Sequence, residues 1–172
     1  MNKPEVGWIG TGVMGAPMCG HLLSAGYSVN VNSRTRSKAD ELLAQGAIWC
    51  DTPAQLAARS DIVFTNVGSP DEVHNVYFGR HGVFEGLLAG SIVVDVGTTP
   101  PSLTEVIASH AVSIGANAVD APVSGGDVGA RNGTLSIMAG GEERIIDDLR
   151  PLLDCCLLYT SDAADDRYKV WL

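Results

Sequence analysis

The chain opens with an apolar stretch, Val6-Gly7-Trp8-Ile9. It breaks at Gly10-Thr11-Gly12-Val13-Met14-Gly15, and a helically spaced apolar pattern then runs from Val13 to Ala25, ended by Gly26. A strand feeding a tight turn and a helix gives that order. The alternation then repeats. Tyr27 to Asn32 alternates as a second strand, Lys38 to Gln45 reads as a helix ended by Gly46, and Ala47 to Cys50 reads as a third strand. Thr52-Pro53 opens a short helix through Arg59, proline being favoured in a first helical turn. Asp61 to Val67 and Ser91 to Val96 are apolar runs suited to strands buried on both faces. Helices follow them, from Ser69-Pro70 to about Phe78 and from Ser102 to Ser113. Ala116 to Ala121 and Thr134 to Ala139 read as further strands, and Glu142 to Leu153 as a helix. Unbroken β-α-β alternation predicts an α/β fold: a Rossmann-type, doubly wound, mostly parallel sheet.

Composition narrows the class. With 172 residues, 45% of them hydrophobic, the chain suits one domain with a sizeable core. Its net charge of −9, with no basic stripe, argues against a nucleic-acid partner. No apolar run approaches a membrane span. Met1-Asn2-Lys3-Pro4 leads straight into the first strand and leaves no room for a signal peptide, so a cytoplasmic protein is expected. Cys19, Cys50, Cys155 and Cys156 show no ligand or disulfide spacing, and His21, His74, His81 and His110 are equally scattered. No metal is expected, and the cysteines read as incidental thiols.

In a doubly wound sheet, ligands lie across the carboxyl ends of the strands, so the residues just after each strand are the candidates. After the first strand, Gly10 permits the turn, Gly12 lets a pyrophosphate approach the main chain, and Gly15 lets the helix pack closely. Thr11, Val13 and Met14 complete the segment, and the helix N-terminus offers free N–H groups to phosphate. The alternative, a merely glycine-rich turn, is weakened by the strand before it and the helix after it.

After the second strand, NAD sites usually carry an acidic residue for the ribose 2′-hydroxyl. Here the segment is Ser33-Arg34-Thr35, and a hydroxyl beside a guanidinium suits a 2′-phosphate. NADP is therefore favoured over NAD, with Arg36 able to complete the cradle; the alternative is a pair of solvated arginines in a surface turn. Val67-Gly68 and Gly97-Thr98-Thr99 are small segments that a nicotinamide could approach. In Asp120-Ala121-Pro122-Val123-Ser124-Gly125-Gly126, Ser124 and the two glycines present a hydroxyl and exposed amides, a receptor for a carboxylate. The plainer reading is a Pro-Gly-rich connecting turn.

Three segments in order carry a resemblance: Gly10 to Met18, Asp120 to Gly126, and Gly133-Thr134-Leu135-Ser136-Ile137-Met138-Ala139-Gly140-Gly141. Together they resemble the β-hydroxyacid dehydrogenase family, which includes 3-hydroxyisobutyrate dehydrogenase, tartronate semialdehyde reductase and glyoxylate/succinic semialdehyde reductase. The resemblance spans about Val6 to Leu153. It implies reversible hydride transfer between NADP(H) and a small 3-hydroxy acid or semialdehyde carrying a carboxylate. It also implies substrate binding by Ser124, Gly125 and Gly126, and cofactor contacts from Val67, Gly68 and Thr98. Ser33-Arg34-Thr35 resembles the Asn-Arg-Thr of NADP-preferring members. 6-Phosphogluconate dehydrogenase is a second relative with a similar Ser-Gly-Gly segment, and a non-catalytic dinucleotide-binding module is the alternative from outside enzymology.

The family's proton-transferring lysine lies in a Gly-x-Gly-x-x-x-Lys-x-x-x-Asn motif leading into a second, all-helical domain, through which full-length members form homo-oligomers. That motif is absent here. Lys169 falls near the expected place, without the glycines or the asparagine, so no catalytic residue is assigned. Cys156 to Asp165 matches, residue for residue, a translated transposon-type sequencing adapter. The expectation is a dinucleotide-binding domain over 1–155 and a read-through tail over 156–172, giving cofactor binding without turnover.

Overall fold

A computed structural model describes residues 3–156. Six strands form one parallel sheet: β1 (Val6–Ile9), β2 (Val29–Asn32), β3 (Ile48–Trp49), β4 (Ile62–Thr65), β5 (Ile92–Asp95) and β6 (Asn117–Asp120). Their order is β3-β2-β1-β4-β5-β6. β1 is the switch point: chain order runs outward from it to β2 and β3 on one side and to β4, β5 and β6 on the other. The loops after all six strands therefore open on one edge of the sheet, with the β1, β2 and β4 loops adjacent.

Helices cover both faces. α1 (Gly15–Ser24), α2 (Asp40–Ala44) and α8 (Glu143–Leu153) pack on one side, and α3 (Pro53–Ala57), α4 (Pro70–Phe78), α5 (Val83–Gly86) and α6 (Pro101–Ser113) on the other. α7 (Gly126–Asn132) packs against α1. The side-chain alternation of β1 sorts its residues between the two cores. Val6 and Trp8 join Met18, Leu22 and Leu149, while Ile9 joins Leu56, Val73 and Ile107. Trp8 stacks on Phe64 with ring centroids 5.3 Å apart.

Two local features depart from the sequence reading. The segment 134–139 is not a further parallel strand. It contributes β8 (Ser136–Ile137), paired antiparallel with β7 (Val123–Ser124), and Gly140 bridges antiparallel to Asp120 at the sheet edge. Between β6 and β8 the chain doubles back through β7 and the short α7, which packs on α1 instead of lying across the sheet as a crossover helix does. α7 went unread because its residues, Gly-Asp-Val-Gly-Ala-Arg-Asn, have turn composition; Gly133 ends it in the left-handed conformation (φ 65°). Residues 157–172, most of the expected tail, lie outside the described residues. No helix among the described residues is long and apolar enough to cross a membrane.

Candidate functional site

The β1–α1 turn is built by two glycines that nothing larger could replace. Gly10 sits at φ +99°, and a Cβ there would collide with the main-chain carbonyl of Asn66 after β4. A Cβ on Gly15 would collide with the carbonyl oxygen of Gly10, an oxygen that also accepts from Trp8 Nε1 at 2.9 Å. Gly12, between them, is different: a Cβ there would meet nothing within 4 Å. Its openness has no packing cause among the described residues.

That open side faces a cleft of about 620 Å³ along the carboxyl edge of β1, β2 and β4. Gly10, Thr11 and Gly12 form its floor, Ser33, Arg34 and Thr35 one wall, and Val67 and Gly68 the other. Eight residues singled out in the sequence thus converge on one site. A second hollow beside it is lined by Val13 together with Lys38 and Arg131. Met14 and Gly15 lie at the start of α1, outside the cleft lining.

Three features of the turn fit a pyrophosphate. The space over Gly12 is open. α1 begins with no side-chain cap and no acidic residue in its first turn, so its positive end is not neutralised locally. Thr11 is 3% exposed, and its hydroxyl has no hydrogen-bond partner among the described residues. A buried hydroxyl left unsatisfied is costly, and such atoms are rare unless a partner outside the chain completes them.

At the β2 exit, Ser33 and Arg34 reach the cleft as expected, but Arg36 does not: its guanidinium lies 5.3 Å over the ring of Trp49. The structure puts Lys38 there instead, in the 3-10 turn Arg36–Ala39. Asn32, Asn66, Asp71 and Glu72 also line the cleft and went unremarked in the sequence. Lys38 was findable as the next cation along that turn. Glu72 was not, because its position across from Arg34 depends on β4 lying two strands from β2.

The other candidates stand further along the same edge. Thr98 is exposed in the turn after β5. That turn hangs on Asp95, whose carboxylate accepts from Gly97 N at 3.1 Å, from the Thr99 hydroxyl, and from Thr65 Oγ1 at 3.0 Å. Thr65 has one hydroxyl proton, given to Asp95, so the Tyr77 hydroxyl 3.0 Å away donates to Thr65. Ser124, Gly125 and Gly126 are exposed where β7 passes into α7, with Gly125 at φ +135° and Gly126 at φ +62°. They are not part of the cleft lining.

Asp120 leads into that loop. Its N–H and C=O both pair with Gly140, at 3.0 and 2.7 Å, while its Oδ1 is buried without a partner among the described residues. It borders a small cavity of about 110 Å³ shared with Asp95 and Tyr77. Burial, and then the nearby Asp95 charge, push its carboxyl up to about 6.

Comparison with known proteins agrees with this architecture. Residues 5–157 match the family model described as the NAD binding domain of 6-phosphogluconate dehydrogenase. The chain is 51% identical over 152 residues to "Probable 3-hydroxyisobutyrate dehydrogenase-like 1, mitochondrial" of Arabidopsis thaliana, covering 88% of this chain and 46% of that protein. It is similar to the structure of "Psf3 in complex with NADP+ and 2-OPP" (TM-score 0.84, 32% identity, 94% of this chain and 58% of that one). The 3-hydroxyisobutyrate dehydrogenase of Mycobacterium tuberculosis, solved with L-serine, superposes with a TM-score of 0.85 at 28% identity, over 91% of this chain and 53% of that one. The chain spans about half the length of the relatives it matches. It belongs to the 3-hydroxyisobutyrate/β-hydroxyacid dehydrogenase family, as the NAD-binding domain of that family.

Proposed function

We propose that this chain is the NADP-binding half of an oxidoreductase that moves a hydride reversibly between the cofactor and a small 3-hydroxy acid or semialdehyde carrying a carboxylate. The observation that carries this reading is Gly12, a motif glycine with no packing role among the described residues, open toward a cleft whose far wall bears Ser33 and Arg34. When bound, the dinucleotide supplies the redox chemistry. The chain supplies binding and orientation. Gly12 and the start of α1 receive the pyrophosphate, Thr11 gives its spare hydroxyl, and Ser33, Arg34 and Thr35 take the 2′-phosphate. Val67, Gly68 and Thr98 border the nicotinamide side, and Ser124, Gly125 and Gly126 take the substrate carboxylate. The similar structure solved in complex with NADP+ supports the choice of dinucleotide.

No Gly-x-Gly-x-x-x-Lys-x-x-x-Asn segment occurs in these 172 residues, and the proton in this chemistry needs a donor. The chain as it stands is therefore proposed to bind cofactor without turnover. Four free thiols fit a reducing compartment such as the cytoplasm. The test is calorimetric titration of the 172-residue chain with NADP+ and with NAD+. The expected result is tighter NADP+ binding, with the preference reversed in Ser33→Asp/Arg34→Ala. An unchanged ratio in that variant would overturn the NADP assignment, and steady hydride transfer to a short semialdehyde would overturn the lack of turnover.

A further inference from the structure

Arg34 and Glu72 stand on opposite walls of the cleft. Arg34 follows β2, Glu72 lies in the first turn of α4 after β4, and β1 with its glycine turn runs between those strands. Arg34 Nη1 donates to Glu72 Oε1, so the pair spans the cleft from wall to wall. Glu72 is fixed from its own side: Oε2 accepts from Gly68 N at 3.1 Å, and its own N–H donates to the capping Ser69 Oγ at 3.3 Å. Among the described residues Arg34 is held by its far end alone, with a side chain 83% exposed. The pair is thus a clasp with one rigid and one movable half.

We propose that Glu72 is a specificity-determining residue for the nucleotide: its carboxylate competes with a cofactor 2′-phosphate for Arg34. This rests on the cofactor reading given above. The usual place for an acidic residue facing the ribose is the end of β2, and there this chain has Ser33. Glu72 brings a carboxylate to the same side chain from the neighbouring β4 loop. A 2′-phosphate must take Arg34 from Glu72 and then tolerate that negative charge beside it. An unphosphorylated ribose meets neither penalty, and its 2′-hydroxyl can donate to the carboxylate. Ser33 and Arg34 set a preference for NADP, and Glu72 narrows it.

Glu72→Gln removes the charge and keeps an amide oxygen for Gly68 N, so the cap survives. Calorimetric Kd values for NADP+ and NAD+ on the 172-residue chain are compared among wild type, Glu72→Gln, Arg34→Ala and the double variant. Solvent-exposed pairs are weak, so the expected gain is about three- to fivefold tighter NADP+ in Glu72→Gln, with NAD+ changed less than twofold. That gain should vanish when Arg34 is already Ala, because nothing is left to compete for. Glu72→Met, of similar length and uncharged, provides the same comparison should the Gln variant fold poorly. An unchanged or weakened preference for NADP+ over NAD+ would overturn the role of Glu72 while leaving the cofactor reading intact. A gain that persists without Arg34 would overturn the competition. Failure of the wild-type chain to bind either dinucleotide would overturn the cofactor reading itself.

Discussion

The carbonyl oxygen of Gly10 occupies the space that a side chain on Gly15 would need. The two glycines lock the turn against itself, and Gly12 between them is free of that role. Their substitutions should therefore separate. Gly10→Ala and Gly15→Ala force backbone apart, and Gly10 adds a left-handed conformation, so each should cost several kcal/mol on the scale of overpacking and backbone strain. Gly12→Ala should leave stability within about 0.5 kcal/mol, as for an unstrained surface change, yet weaken dinucleotide binding by at least tenfold. Urea denaturation and calorimetric titration on the three variants measure both quantities. Equal stability losses at all three positions would contradict the division of roles.

The buried Thr11 hydroxyl gives an opposite pair of signs. With no partner among the described residues, it contributes nothing to the free protein and carries a desolvation penalty. Thr11→Val keeps the shape and removes the penalty, so the ligand-free protein should be as stable or more stable. Dinucleotide affinity should fall by roughly threefold to tenfold, the range of one neutral hydrogen bond. A matching loss of stability in the free protein would mean that the hydroxyl has an internal partner.

The fold was legible because its signals are local. Strand runs such as Ile62–Thr65 and glycine stops such as Gly26 depend only on neighbours in the chain, and the β1–α1 turn announces itself by spacing. The convergence of Gly12, Ser33 and Val67 followed from a topological rule, since strand ends of a parallel sheet share one edge. What escaped depends on pairings across the sheet. The β7–β8 ladder is two residues long on each side, too short for a period to show. Arg36 and Lys38 are equivalent cations by composition, and only the 3-10 turn decides that one meets Trp49 and the other the cleft.

The hydrogen-bonded chain from Tyr77 through Thr65 to Asp95 ties α4 to the end of β5 and so to the turn bearing Thr98. Tyr77→Phe removes a donor and leaves Thr65 bonded to Asp95, so its cost should be near 1 kcal/mol. Thr65→Val strands the fully buried Tyr77 hydroxyl and takes one of two donors from Asp95 Oδ1, which keeps Gly97 N, and should cost about 2 kcal/mol. The double variant should cost less than the sum, because the stranded hydroxyl has gone too. Chemical denaturation of the four proteins closes the cycle, and strict additivity would show that the groups do not act as a chain.

Asp120 makes stability depend on pH in a defined direction. Its carboxyl titrates at about 6 in the folded chain against an ordinary 3.8. The folded state therefore holds the proton more tightly than the unfolded state does. Between about pH 3.8 and 6 the unfolded chain carries fewer protons at this site, so stability falls as pH rises through that window. Above it, Asp120 is charged in both states, and the folded one bears a partly buried carboxylate beside Asp95 with one oxygen unpaired. Asp120→Asn has no charge to desolvate. Because the residue is only half buried, the expected gain at pH 8 is discounted to about 1 kcal/mol, which is roughly 2–4 °C in Tm for a domain of this size. At pH 4, where the wild-type carboxyl is protonated in the folded state, the two proteins should melt within a degree of each other. Thermal scans at the two pH values give the comparison. A difference independent of pH would assign the effect to shape or hydrogen bonding, and with it remove Asp120 as the source of the pH dependence.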